Sequence, residues 1–352
     1  MLEEKKTALT PVSQLGEFGL IKHITEHFNL KNPSSKLGVG DDAAIINPEG
    51  KQIVISTDAL AEGVHFNLGY VPLKHLGYKA IVVNLSDIAA MNATPTQVLV
   101  SIAASNRFPV EAFEELYAGM QLACERYGVD LVGGDTTSSQ SGLILNITAI
   151  GLVEQDKAVT RSSARPNDLL VTTGDLGGAY MGLQILEREH AIYLAQPEMQ
   201  PDMEGYDYIL ERQLKPEART DIKKTLEDLG VQPTAMIDIS DGLASEILHL
   251  SDQSKVGFRL YEDKIPMDTL TITTADEFNL NPAMAALNGG EDYELLFTIR
   301  PEDYQNIRNH PDFTVIGHAT ELDQGNHLVL RGSEQLTPLT AQGWDAYLNK
   351  KT

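Results

Sequence analysis

Two adjacent acids in a glycine-rich loop, Gly38-Val39-Gly40-Asp41-Asp42-Ala43-Ala44, constrain the fold of this chain more than any other stretch. Buried carboxylates without a compensating charge are costly, so the loop makes poor core packing and good sense around a cation. Four later stretches repeat an acid beside a hydroxyl or a glycine: Ser56-Thr57-Asp58, Asn84-Leu85-Ser86-Asp87, Gly133-Gly134-Asp135-Thr136-Thr137 and Asp238-Ile239-Ser240-Asp241-Gly242. Carboxylates and hydroxyls are hard oxygen ligands of the kind Mg2+ takes together with substrate phosphates. The expectation is a fold in which these acidic segments meet at a magnesium-phosphate site.

Length and charge narrow the choice of fold and partners. A chain of 352 residues, 42% hydrophobic, can bury a substantial core and favours two domains over one. Its 27 basic and 50 acidic residues give a formal charge of -23, which argues against binding nucleic acid through the phosphate backbone. Anionic substrates would then need metal ions as intermediaries. A lone cysteine, Cys124, excludes an intrachain disulfide and a cysteine-rich zinc site and suits a reducing cytoplasm. The polar start of the chain and the lack of a long apolar run speak against secretion and a membrane span.

Periodicity predicts helices over 17–28, 76–91 and 109–127, with strands over 53–57, 97–103, 129–132 and 143–153. On this reading Asp58 stands where a strand ends, and Asn84 and Asp87 share the polar face of a helix. The stripe Phe113, Leu116, Met120, Cys124 and Tyr127 makes Cys124 a core thiol rather than a nucleophile. Charges and Pro166 interrupt the pattern over 154–168, placing a boundary between domains 1–154 and 155–352. Beyond it come a strand at 169–173, a glycine turn at 174–178, a helix to about 188 and an exposed loop at 193–205. The turn leaves backbone N–H groups for a phosphate or is simply close-packed. A strand at 235–239, a helix at 241–250, strands at 294–299 and 313–316 and a helical 301–309 follow. Strands alternate with helices in both halves, implying two α/β domains.

Common phosphate motifs do not account for the chain. It has no G-x-x-x-x-G-K-[ST] loop, no H-R-D or D-F-G pair and no H-E-x-x-H. Gly38 to Ala43 fits G-x-G-x-x-A only loosely, without a preceding strand and with two acids facing any pyrophosphate.

Ten motifs in register do carry a resemblance: Gly16-Glu17-Phe18, Gly40-Asp41-Asp42-Ala43, Ser56-Thr57-Asp58, His65-Phe66, Lys79-Ala80, Asn84 to Met91, Gly133 to Thr137, Thr160-Arg161-Ser162, Asp238 to Leu243 and Gly289-Gly290-Glu291-Asp292-Tyr293-Glu294. Together they resemble thiamine-monophosphate kinase over nearly the whole chain. The resemblance implies a mixed α/β, two-domain fold of the aminoimidazole ribonucleotide synthetase type, and a homodimer formed through the N-terminal halves. It implies transfer of the ATP γ-phosphoryl to thiamine monophosphate, giving thiamine diphosphate. The attacking group would be a phosphate oxygen, largely dianionic at neutral pH with a second pKa of ~6, so no general base is required. Bringing polyanions together is the barrier: like unit charges 4 Å apart cost ~4 kcal/mol at an effective dielectric near 20. Several Mg2+ ions would offset it.

By the same resemblance Asp42, Ser56, Thr57, Asp58, Asp87, Asp135, Asp238 and Asp241 are metal ligands, and Asp42, Asp58, Asp87, Asp135 and Asp238 carry catalysis. Asp87 and Asp241 have helix capping as the alternative, and Asp41 is a ligand or a turn residue. Gly134, Asp135, Arg161 and Ser240 are implied to contact ATP, and Tyr117 either does so or packs in its helical stripe. His65, Glu291 and Trp344 are implied for the thiamine moiety, whose cationic ring suits an aromatic face and a carboxylate. Trp344 has C-terminal packing as its alternative. Two other functions stay open: another ATP-dependent phosphotransferase or ligase of the same superfamily, and a nucleotide- and metal-binding module without turnover.

Overall fold

The computed structural model describes residues 10–39, 44–333 and 335–342. These group into two compact units, the first taking the chain to Asn84 and then Pro95–Leu152, the second taking Leu85–Thr94 and the chain from Val153 onward.

The first stretch of chain runs α1 (Gly16–Thr25), β1 (Ser35–Leu37), β2 (Ile45–Ile46), β3 (Gln52–Ala61), α2 (Leu73–Ala90), β4 (Thr94–Ala104), α3 (Val110–Tyr127), β5 (Asp130–Ser138) and β6 (Ile144–Val153). A four-stranded sheet has the order β3-β6-β4-β5, and β4 and β5 are parallel. Parallel neighbours need a crossover, which α3 supplies. Its buried stripe includes Phe113, Leu116, Tyr117, Met120 and Cys124, at helical spacing. The helix ends at Gly128, whose φ of 65° lets its N–H return to the Cys124 carbonyl. Cys124 is a core thiol, pushed up to about 12 chiefly by burial.

Helix α2 has little polar face. Leu76, Tyr78, Ile81, Leu85 and Ile88 are inaccessible, and so are Asn84 and Ser86, which corrects the expectation that Asn84 lies on an open polar face. Asn84 is satisfied internally, donating to the Ala80 carbonyl at 3.0 Å and accepting the Asp58 N–H at 3.0 Å. The helices α2 and α3 touch backbone to backbone: a Cβ on Gly77 would stand 1.9 Å from the Leu116 carbonyl oxygen, and one on Gly119 1.9 Å from that of Lys74.

The second unit continues with β7 (Leu169–Thr173), α4 (Gly178–Ala195), α5 (Asp207–Leu214), α6 (Asp221–Asp228), β8 (Ala235–Asp238), α7 (Leu243–Ser254), β9 (Gly257–Tyr261), α8 (Thr269–Glu277), α9 (Pro282–Asn288), β10 (Leu295–Ile299), α10 (Tyr304–Ile307), β11 (Phe313–Thr320), β12 (Asn326–Val329) and β13 (Leu336–Pro338). Seven strands form one sheet in the order β13-β12-β9-β11-β7-β10-β8. One face packs Leu170, Ile237, Leu296 and Phe258 against Leu243, Ile247 and Leu250 of α7. The other packs Val171, Met236 and Phe297 against Ile222 and Leu226 of α6. A sheet buried on both faces needs continuous apolar strands, and β10 reads Leu-Leu-Phe-Thr-Ile, buried throughout. The elements α5, α6, α8, α9, β9, β12 and β13 went unread in the sequence, being short or weakly periodic.

Candidate active site

In the first unit two of the acidic motifs, Ser56-Thr57-Asp58 and Gly133 to Thr137, lie on strands. β3 continues through Ser56, Thr57 and Asp58 to Ala61, so Asp58 is mid-strand rather than at a strand end. Successive side chains of a strand point to opposite faces, which separates Thr57 from Ser56 and Asp58. Thr57 Oγ1 meets Asn146 Oδ1 at 3.2 Å, the Ile147 carbonyl at 2.9 Å and Thr148 Oγ1 at 3.0 Å. β5 likewise runs on through Gly133, Gly134 and Asp135, where a loop after a short strand was expected. Gly134 pairs with Val100, and a Cβ there would stand 1.8 Å from the Val100 carbonyl oxygen, so only glycine fits this register. Asp135 is exposed. β3 and β5 are the two edge strands, with β6 and β4 between them, so the sheet does not itself bring Asp58 to Asp135.

His65 lies in the turn after β3, exposed, and its Nδ1 accepts the Ala61 N–H at 3.0 Å. That bond places the proton of the neutral ring on Nε2. Tyr117 is buried, edge-on to Phe28 with ring centroids 6.2 Å apart, and burial raises its phenol pKa. Within this unit it packs in the buried stripe of α3. Asp41, Asp42 and Trp344 lie outside the described residues.

The second unit brings several of the other expected residues together. Asp238 ends β8 fully buried, and its carboxyl is pushed up to about 7 by burial and by the Asp87 carboxylate. Ser86, in the last turns of α2, donates its hydroxyl to Asp238 Oδ2 at 2.7 Å, and the Arg161 charge also favours ionisation. Asp87 stands near the end of α2, not its start, so it is not an N-cap. Asp241 is not the cap of α7 either: Gly242 occupies that position with φ 113°, where a Cβ would meet the Leu287 carbonyl oxygen at 2.7 Å. Instead the Asp241 N–H donates to Glu246 Oε1 at 3.0 Å. Burial raises the Asp241 carboxyl, and pushes that of Glu246 up to about 8, against the Arg161 charge in both cases. Ser240 accepts the Glu291 N–H on its carbonyl at 2.7 Å.

The glycine turn before α4 holds a carboxylate of the protein. Asp292 accepts the Gly177 N–H at 2.9 Å, so this turn is close-packed around a side chain. Sequence reasoning gave no role to Ser86, Glu246 or Asp292; for Ser86 and Asp292 their place within the acidic motifs was the available signal.

Asp87 and Asp238 are two hard oxygen donors, and an ionised Asp238 buried beside Asp87 needs a positive charge to offset it. That donor set fits Mg2+, which takes one or two carboxylates along with phosphates and water. Among the described residues no group of three or more His, Cys, Asp or Glu side chains gathers as a metal site.

Residues 40–153 match the model of the AIR synthase related protein N-terminal domain family. A solved structure, AaThiL complexed with AMPPCP and TMP, is similar with a TM-score of 0.72 and 31% identity, covering 98% of this chain and 100% of that one. The fold and its acidic motifs thus define a protein of the AIR synthase related class, as the resemblance implied. The thiamine-monophosphate kinase of Bacillus subtilis is 32% identical over 341 residues, 95% of this chain and 100% of its own. That of Escherichia coli is 35% identical over 343 residues, covering 94% and 98%. The chain belongs to the thiamine-monophosphate kinase family.

Proposed function

We propose that this chain transfers the ATP γ-phosphoryl to the phosphate of thiamine monophosphate in a Mg2+-dependent reaction, forming thiamine diphosphate and ADP. The observation that carries this reading is the match to thiamine-monophosphate kinases along the full length of those relatives. Its chemistry is supported by the buried Asp238 beside the half-buried Asp87 and near Arg161.

Bound Mg2+ would neutralise the phosphates that must approach one another. Asp87, Asp238 and Asp241 would hold it in the second unit, and Asp42, Asp58 and Asp135 would serve the same end from the first part of the chain; Ser56 and Thr57 join this proposed set. Arg161 offers a planar fork suited to phosphate oxygens, and Gly134, Asp135 and Ser240 are assigned to ATP. His65, Glu291 and Trp344 are assigned to the thiamine moiety. Residues 1–154 and 155–352 are the two domains of this reading, and the cytoplasm, where ATP is supplied, is its setting.

A homodimer belongs to the same reading. Ile53 and Ile55 of β3 are 47% and 64% exposed, and Ile144 of β6 is 40% exposed. Apolar residues exposed at alternate positions of an edge strand suit a second copy.

Incubation with Mg-ATP and thiamine monophosphate should yield thiamine diphosphate, and EDTA should abolish it. Unphosphorylated thiamine, with a neutral hydroxyl and no evident base beside it, should not react. Comparable turnover of thiamine, or full activity in excess EDTA, would overturn the mechanism.

A further inference from the structure

Gln213 on α5 is 5% exposed, and its Nε2 donates to Oε2 of Glu291 at 2.8 Å. The helix reaches that loop because Gly182 of α4 has no side chain: a Cβ there would stand 2.0 Å from the Ile209 carbonyl oxygen and 3.0 Å from Gln213 Cβ. The preceding residue grips the same loop. Arg212 donates through Nη2 to the carbonyls of Asp292 at 3.2 Å and Asp175 at 3.0 Å, and through Nη1 to Glu294 Oε1 at 3.0 Å. Glu291 needs this hold, because its φ of 58° is a left-handed conformation uncommon for a glutamate. Such a conformation persists where the surroundings over-determine it. Here the main chain is tied to Ser240 and Arg212, and the carboxylate to Gln213.

We propose that Gln213 is a positioning residue for substrate specificity: its amide fixes the rotation of the Glu291 carboxylate so that the acid meets the thiamine end of the substrate in one orientation. The inference rests on the assignment of Glu291 to that moiety. An N–H donated to a carboxylate is a charge-assisted bond, stronger than a neutral one. Without it the carboxylate must be ordered at the moment of binding, a cost that falls on substrate affinity.

The test compares steady-state constants of Gln213→Glu, Gln213→Met and Glu291→Ala with those of the double variants Gln213→Glu/Glu291→Ala and Gln213→Met/Glu291→Ala. Gln213→Glu sets an acceptor against an acceptor at constant shape, and Gln213→Met removes the donor at similar volume. Either should raise the KM for thiamine monophosphate roughly 10- to 100-fold, the range for a lost hydrogen bond to a charged group. The KM for ATP and kcat should stay within about twofold. In the Glu291→Ala background neither Gln213 change should raise the KM further. Thermal melting identifies any variant that does not fold, in which case the other is read. If Glu291→Ala leaves the KM for thiamine monophosphate unchanged, the assignment of Glu291 falls. If Glu291→Ala raises it while the folded Gln213 variant does not, or that variant acts equally in both backgrounds, the positioning role falls and the Glu291 assignment stands.

Discussion

At the scale of single residues, Asp238 is the group whose surroundings say most about its work. Full burial, the Asp87 carboxylate nearby and a hydroxyl donated by Ser86 leave it little reason to exist as packing. Asp238→Asn keeps the shape and an oxygen to accept the Ser86 hydroxyl, while removing the charge proposed to hold Mg2+ against the reacting phosphates. We expect kcat to fall by roughly 100- to 1000-fold, as when one transition-state stabilising group is lost, with the melting temperature close to that of the parent. A folded variant with near-normal kcat would remove Asp238 from the machinery. The acid-hydroxyl pattern pointed to this residue from the sequence alone, but not to Glu246, which is distinguished only by what the fold packs around it.

At the scale of elements, two glycines on facing helices set how closely α2 and α3 approach. Gly77→Ala would place a methyl 1.9 Å from the Leu116 carbonyl oxygen, and neither backbone can yield as a flexible side chain would. Overpacking of this kind costs about 1–3 kcal/mol, to be read from urea unfolding; an unchanged midpoint would show that the helices slide apart freely. The start of α4 adds a pH-dependent contribution. Burial pushes the Asp292 carboxyl from 3.8 up to about 7, against the Arg212 charge and the Gly177 N–H and with the Glu294 charge. A raised folded-state value means the folded chain keeps a proton that the unfolded chain has lost. The stabilisation is full below about pH 4 and is lost as pH rises through 7. Asp292→Asn, which mimics the protonated acid, should lose less stability than the parent between pH 5 and 8. Equal losses in urea titrations at the two pH values would contradict this.

At the scale of the whole molecule, the exposed isoleucines of β3 carry the expectation of a dimer. Ile55, 64% exposed, contributes nothing to the core of its own unit. Ile55→Lys should therefore leave unfolding of the protomer unchanged while shifting the mass measured by light scattering from two copies towards one. A monomeric parent protein, or a variant as dimeric as the parent, would place the interface elsewhere or remove it. Among the described residues no helix is long and apolar enough to cross a membrane, so this apolar surface is not part of a helical span.

The strands and helices with clear periodicity, such as α3 with Phe113, Leu116 and Met120, were legible in the sequence because one buried face repeats every three to four residues. So were β7, the mixed α/β class and the family, the last through short motifs in register along the chain. Strand ends were not legible at Asp58 and Asp135, since glycine, threonine and aspartate mark turns as readily as they occupy an edge strand. Nor were α5 and α6, too short for their period to stand out. The sequence by itself determined which residue types were available for phosphate and metal chemistry. Only the tertiary structure decided that Asp238 is buried beside Asp87, that Asp292 occupies the start of α4, and that Gln213 reaches Glu291 across 78 residues. The reason is that desolvation and hydrogen-bond geometry depend on what lies nearby in space, which spacing along a chain does not encode.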